Sequence, residues 1–253
     1  MECADLSALL SSRPVAARLQ ECGFPKLRSA TPLPKEAETG HRTPNSVLSG
    51  STLTRMFDVE AFILVGGASS RMGQDKSQLL FSGRTSIERI ATELLAIALP
   101  VAMVGARRDY RHLSFRNVPD IHPRWGALGG IHAALQACER DWALVVACDL
   151  PFVTSQLFQR LADLRADQAD AVVPVQADGR PQPLCAFYRR ETCLPEAERL
   201  IEEGEHTPRS LLAAVRTRWV ETGELEDLPG AKNFFFNVNT QADFEEAKKL
   251  FDG

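Results

Sequence analysis

No stretch of this 253-residue chain is apolar for long enough to cross a bilayer; Ala143–Ala147 is among the longest such runs. There is no basic run and no basic–aromatic stripe, and the formal net charge is −4, which argues against a nucleic-acid surface. The six cysteines include no Cys-x-x-Cys pair and have no histidines at zinc spacing, so a zinc module is excluded. They read as reduced thiols of a cytoplasmic protein, with Cys148 and Cys185 as small core residues. The Walker phosphate loop is missing, because Gly73 is followed by Gln74 rather than lysine. The dinucleotide pattern Gly-x-Gly-x-x-Gly is missing too, because Gly66 and Gly67 are adjacent. No internal repeat is visible, and no Ser/His or Cys/His arrangement suggests a covalent intermediate.

What remains is a mixed-charge, globular composition with a different first segment. Residues 1–55 hold five prolines, many Ser/Thr and no sustained apolar period after Leu10. Their mixed charges do not make a transit peptide, and no secretory apolar core follows Met1. The expectation is a disordered, dispensable extension over 1–56, with one short helix over 6–20 and the folded domain over 57–253. From Phe57 on, strand-like and helical runs alternate, which predicts an α/β fold with a doubly wound, mostly parallel sheet. Strands are expected at Ala61–Val65, Val101–Val104, Arg116–Val118, Ala143–Ala147, Ala171–Val175, Leu184–Tyr188, Arg216–Glu221 and Asn233–Phe236. Thr85-Ser-Ile-Glu88 is a capping box, Thr154 a helix cap, and Thr240 opens the last helix. Ala177-Asp-Gly-Arg180 has hairpin-turn chemistry.

Chemistry concentrates first in Phe62-Ile-Leu-Val-Gly-Gly-Ala-Ser-Ser-Arg-Met-Gly-Gln-Asp-Lys76. An apolar strand runs into glycines, whose free N–H groups suit an anion. Arg71 as a fork and Lys76 as a point charge can balance a polyphosphate there. Asp149 stands just past the strand Ala143–Ala147, at the edge where open α/β sheets bind ligands. A carboxylate there suits Mg²⁺, although aspartate also starts turns, and Pro151 follows. Asn237 and Asn239, two apart in an extended stretch, are expected on one side, as metal or phosphate partners or as lead-in to the last helix. Asp120, with Gly126, Gly129 and Gly130, offers an acceptor beside glycines that let a base or ribose approach backbone. The same glycines could instead serve close helix packing. His112, His122, His132 and His206 read as surface or packing residues.

Taken in order, Leu64-Val-Gly-Gly67, Arg71-Met-Gly-x-Asp-Lys76, Asp120 with Gly126-Ala-Leu-Gly-Gly130, Asp149-Leu-Pro151 and Asn237-Val-Asn-Thr240 resemble the molybdenum cofactor guanylyltransferases. The resemblance covers nearly all of residues 58–251, including Gly179-Arg-Pro-Gln-Pro-Leu184, which is similar to the family's segment near the acceptor. It implies a three-layer αβα Rossmann-like fold of the nucleotide-diphosphosugar transferase type, with GTP and Mg²⁺ as requirements. It also implies GMP transfer to molybdopterin and transient contact with molybdoenzymes or their chaperones. By position, Leu64, Val65, Gly66, Gly67, Lys76 and Asp120 match nucleotide residues and Asp149 the metal residue. The sequence departs from the family at three places: Gly105 replaces an asparagine, Val65 an alanine and Ala127 a proline. Residues 178–184 and 204–209, with Arg180 and Arg209, are candidate acceptor walls. Three other activities are distinguishable by experiment: cytidylyl transfer to the same pterin, sugar-phosphate nucleotidyl transfer, and nucleotide binding without catalysis.

Overall fold

A computed structural model describes residues 58–65, 80–97, 99–105, 113, 115–122, 125–165 and 168–252. The extension 1–56 and the loop residues Gly66, Gly67, Arg71 and Lys76 lie outside the described residues. The central sheet is built from β1 (Val59–Leu64), β4 (Val101–Val104), β5 (Arg116–Val118), β6 (Trp142–Ala147), β7 (Ala171–Pro174), β8 (Cys185–Arg189) and β9 (Thr217–Val220). A separate hairpin pairs β2 (Leu80–Phe81) with β3 (Arg84–Thr85). Strand order in the seven-stranded sheet is β5-β4-β1-β6-β8-β7-β9. All neighbours run parallel except at β8, which is antiparallel to both β6 and β7.

β1 and β6 are buried along their whole length because helices cover both faces of the sheet. Odd-numbered residues of β1 (Val59, Ala61, Ile63) pack with α1 (Ser86–Ala96) and α3 (Ser155–Asp163). Phe62 and Leu64 face the other layer, made by α2 (Gly126–Ala137), α4 (Arg190–Glu202) and α5 (Pro208–Ala214). The alternation of strand side chains thus feeds two cores, and the three-layer αβα expectation holds. A smaller third cluster joins Phe81 to Val238 and Ala247, with Phe236, Phe244 and Phe251 packed against it, where α6 (Gln241–Asp252) meets the hairpin. The one ionisable side chain inside β1, Glu60, is buried but satisfied: Arg116 donates to it at 2.6 Å and the Glu139 N–H at 2.9 Å.

Local signals explain most boundaries. Thr85 accepts from the Glu88 N–H at 3.2 Å, and the Glu88 carboxylate accepts from the Thr85 N–H at 2.7 Å, so the capping box forms. Thr154 caps α3 through the Leu157 N–H. Thr240 and Asp243 cap α6 reciprocally, each side chain accepting from the other's main-chain N–H. The turn 176–180 closes the β7–β8 hairpin with Gly179 at φ +80°. One expected strand is absent: Asn233–Phe236 is not extended. Gly230, at φ +81°, instead starts the 3₁₀ turn Ala231–Asn233, and the N–H groups of Asn233 and Phe236 bond back three residues. The run is apolar because Phe234 is fully buried in the first core, which imitates a strand signal. The β2–β3 hairpin was not foreseen.

Candidate active site

Three chain segments meet at the carboxyl end of β6. Leaving β1, the Leu64 carbonyl accepts from the Cys148 N–H at 3.1 Å, while the Val65 N–H donates to the Val104 carbonyl. The point where the glycine-rich loop departs is therefore bonded to the residue immediately before Asp149. On the far side of that loop, Ser86 at the start of α1 donates its hydroxyl to the Cys148 carbonyl at 2.5 Å. Both described flanks of residues 66–79 are thereby fixed at the Asp149 corner, close to the order reversal between β4-β1 and β6. In open α/β sheets such a switch point is where ligands bind.

Asp149 is half-buried there. Its main-chain carbonyl accepts from the Val238 N–H at 2.9 Å, and its Oδ2 accepts from the Asn237 side-chain NH₂ at 3.3 Å. Asn237 in turn offers its amide oxygen to Gln182 Nε2 at 3.2 Å. The Phe236–Thr240 segment is thus stitched to the end of β6 by main chain and side chain together. Asn239 is exposed, and its N–H donates to the Asp243 carboxylate at 2.8 Å as the chain enters α6. Asn237 therefore joins the carboxylate while the Asn239 main chain takes part in the helix entrance.

Asp120 follows β5 and accepts the His122 N–H on its Oδ1 at 2.9 Å, forming an Asx-type turn. The glycines downstream have distinct reasons. A Cβ on Gly129 would lie 2.6 Å from the His122 carbonyl oxygen, so the loop sits directly on the helix at that point. On Gly130 it would meet Leu64 Cδ1 at 3.1 Å. Gly126, at φ +56°, faces open space and is required by its backbone angle. Gly129 and Gly130 are thus accounted for by the close seating of α2 against His122 and Leu64. Trp125 stacks on His206 with ring centroids 4.1 Å apart, so the 204–209 stretch borders this loop. His132, on the buried face of α2, has its pKa lowered by burial, with the His122 imidazole adding to the effect. Its Nε2 lies 3.6 Å from the Glu198 carboxylate, so it packs between α2 and α4.

A largely apolar cavity of about 530 Å³ opens at the ends of β7 and β9. Val175, Asp178, Thr222, Leu225, Lys232 and Phe236 are among its walls. Of residues 178–184, the lining includes Asp178, and the opposite side comes from residues 222–236. That side is irregular chain, and only its aromatic density could have signalled it. Arg180, by contrast, folds back on Asp178 at the exposed turn, donating from Nε at 2.6 Å. Arg209 is exposed at the start of α5.

As a metal corner, Asp149 offers a carboxylate with an amide neighbour, and the described residues contain no cluster of three His, Cys, Asp or Glu. That donor set suits Mg²⁺, which commonly takes one or two protein oxygens and completes its shell with phosphate and water.

A family model described as the MobA-like NTP transferase domain matches residues 61–220. The chain belongs to this family of nucleotidyltransferases. It is 31% identical over 172 residues to the "Probable molybdenum cofactor guanylyltransferase" of Flavobacterium johnsoniae, covering 68% of this chain and 90% of that one. It is 30% identical over 192 residues to the molybdenum cofactor guanylyltransferase of Desulfosudis oleivorans, covering 75% of this chain and 94% of the relative. Among solved structures it superimposes on molybdopterin-guanine dinucleotide biosynthesis protein A of Archaeoglobus fulgidus. That match has a TM-score of 0.66 and 25% identity, over 76% of this chain and 98% of that one. The family match begins within β1 and ends with β9, so it spans the sheet and the Asp149 corner.

Proposed function

We propose that this protein transfers GMP from GTP to molybdopterin, releasing pyrophosphate and forming the guanine dinucleotide cofactor. The observation that carries the reading is the Leu64–Cys148 hydrogen bond, which ties the departure of the glycine-rich loop to the strand end that presents Asp149. The names of the relatives supply the base and the acceptor.

In this reading the N–H groups of Gly66 and Gly67 cradle the triphosphate, and Arg71 and Lys76 neutralise it and the departing pyrophosphate. Leu64 and Val65 contribute main chain, and Asp120 with the 126–130 helix entrance receives the base. An oxygen of the acceptor's terminal phosphate forms a bond to the α-phosphorus as the bond to pyrophosphate breaks in line. Positioning and electrostatics supply the rate, so no covalent enzyme intermediate is formed. Asp149 holds Mg²⁺, which when bound neutralises charge on the phosphate oxygens. Asn237 orients that carboxylate, and Asn239, exposed two residues on, is a further partner for phosphate or metal.

The acceptor is assigned to the cavity between β7 and the 222–236 segment. Phe236 lines it and the next residue, Asn237, touches Asp149, so an occupant would lie beside the reacting phosphates. Its apolar walls suit a flat heterocycle, and Lys232 suits a phosphate. Work in the cytoplasm, and handover of product to a molybdoenzyme or its chaperone, belong to the same proposal. Among the described residues no helix is long and apolar enough to cross a membrane. The described cysteines Cys138, Cys148, Cys185 and Cys193 are free thiols. Burial pushes Cys138 up to about 11 and Cys193 to about 12, which disfavours their thiolate forms at neutral pH.

The test is pyrophosphate release with molybdopterin, Mg²⁺ and either GTP or CTP. Release with GTP and formation of the guanine dinucleotide are expected. Preference for CTP would move the protein to cytidylyl transfer, and nucleotide binding with no product would leave a binding module.

A further inference from the structure

The described corner contains a side-chain relay that the family relationship does not assign. Gln182 Nε2 donates to Asn237 Oδ1 at 3.2 Å, and Asn237 Nδ2 donates to Asp149 Oδ2 at 3.3 Å. The direction of this relay is fixed by chemistry. An ionised carboxylate only accepts, so Asn237 must turn its NH₂ toward Asp149. Its oxygen then faces the other way and requires a donor, which the NH₂ end of Gln182 supplies. Reversing the Asn237 amide would set two NH₂ groups against each other and place an oxygen against a carboxylate.

Gln182 is well placed to enforce this orientation. It is only 7% exposed. Its N–H donates to the Pro174 carbonyl at 2.9 Å, and its carbonyl accepts from the Cys185 N–H at 3.2 Å. On either side, Pro181 bridges to Val175 and the Pro183 carbonyl accepts from the Tyr188 hydroxyl at 2.7 Å. A side chain on so restrained a backbone can hold its partner's amide in one sense.

We propose that Gln182 is a positioning residue for the metal corner: it locks Asn237 as a hydrogen-bond donor to Asp149, and so aims the carboxylate at the metal. Asn237 thereby acts on the carboxylate ligand through its NH₂, while its side-chain oxygen accepts from Gln182. The inference rests on the reading of Asp149 as the Mg²⁺ residue. It adds that the β7–β8 connection, on the acceptor side, sets the metal geometry. Such outer partners typically change metal affinity by about 10–100-fold.

The experiment measures Mn²⁺ binding by electron paramagnetic resonance in the full-length protein with a non-hydrolysable GTP analogue, alongside the Mg²⁺ concentration for half-maximal turnover. Q182A should weaken Mn²⁺ about tenfold, with metal-free binding of the analogue unchanged. Q182E keeps the shape but, when ionised, can only accept, competing with Asp149 for the Asn237 NH₂, and should weaken Mn²⁺ further than Q182A, with a lowered melting temperature from the buried charge. In a double-mutant cycle, Q182A should add little to N237A, because both cut the same relay. Wild-type Mn²⁺ affinity in Q182A and Q182E, or full additivity with N237A, would overturn the proposal. D149N separates the two levels: if it loses Mn²⁺ while the Gln182 variants keep it, the relay alone is wrong. If D149N keeps Mn²⁺, the metal reading falls and takes the relay with it.

Discussion

Asn237 donates its side-chain NH₂ to the carboxylate of Asp149, 3.3 Å away and 88 residues distant in sequence. The contact is doubled by the main chain, where the next N–H, that of Val238, donates to the Asp149 carbonyl. Two links across such a separation hold the closing segment onto the central strand, and they make Asp149 the hub of the corner.

Replacing that hub should separate chemistry from folding. Asp149→Ala is expected to lower turnover by at least about a hundredfold, the scale of losing one preorganised electrostatic group. Lys76→Ala should do the same through the triphosphate. Circular dichroism and melting curves should stay near wild type for Lys76→Ala. A fully active Asp149→Ala enzyme would refute the assignment.

The glycines at the entrance to α2 should differ in their tolerance of a methyl group. Gly129→Ala pushes a Cβ to within 2.6 Å of the His122 carbonyl, a backbone atom that cannot step aside. A loss of about 1–3 kcal/mol is expected. At Gly130 the neighbour is the flexible end of Leu64, and alanine favours helix, so Gly130→Ala should cost under about 1 kcal/mol. Paired thermal melts of the two variants decide it. Equal losses would mean that the packing of α2 is not what selects Gly129.

Acid stability should report the Asp170–Arg216 pair. Asp170 is buried at the start of β7 and accepts from Arg216 Nε at 2.8 Å and Nη2 at 2.9 Å. The side-chain hydrogen bonds from Arg216 hold its carboxyl below the usual carboxylate range. A depressed folded-state value means stability that is fully present above the unfolded value of about 3.9 and is lost as pH falls toward the folded value. Asp170→Asn should therefore cost about 2 kcal/mol at pH 7, and the gap from wild type should close below about pH 4. A gap independent of pH between 2 and 7, measured as about the same difference in urea midpoint throughout, would contradict this account.

Removing residues 1–55 should leave the melting temperature and GTP turnover unchanged, since the described residues from 59 onward supply three packed core clusters among themselves. Loss of either property on truncation would show that the extension takes part in the fold or the site.

Periodicity and caps were the legible part of the fold. Val101–Val104 and Arg116–Val118 coincide with β4 and β5, and the Thr85–Glu88 box marks the start of α1, because these signals are local. The expected strand at Asn233–Phe236 failed for the opposite reason: a buried Phe234 supplied the apolar signal, while the left-handed Gly230 set the backbone. Asp149 and Asn237 were singled out from their positions at segment ends, and the fold brings the two side chains together. Gln182 was not singled out by itself: it lay within the Gly179–Leu184 segment, and its bond to Asn237 emerges only from the fold. The cavity wall at 222–236 was hidden likewise, being assembled from turns without period. Gly66, Gly67, Arg71 and Lys76 lie outside the described residues, and their roles stand as proposals.

The reversed strand β8 has an evolutionary corollary. A run of parallel strands sends each return crossing to the opposite rim, but the β7–β8 hairpin spends its whole connection on the rim where Asp149 stands. Its two stems are pinned by pairing and by the Tyr188 hydroxyl, so the tip between them can lengthen or change composition without disturbing the strands. Descendants of this scaffold could therefore vary residues 176–180 by rewriting a handful of codons while Gln182 and the paired strands keep their places.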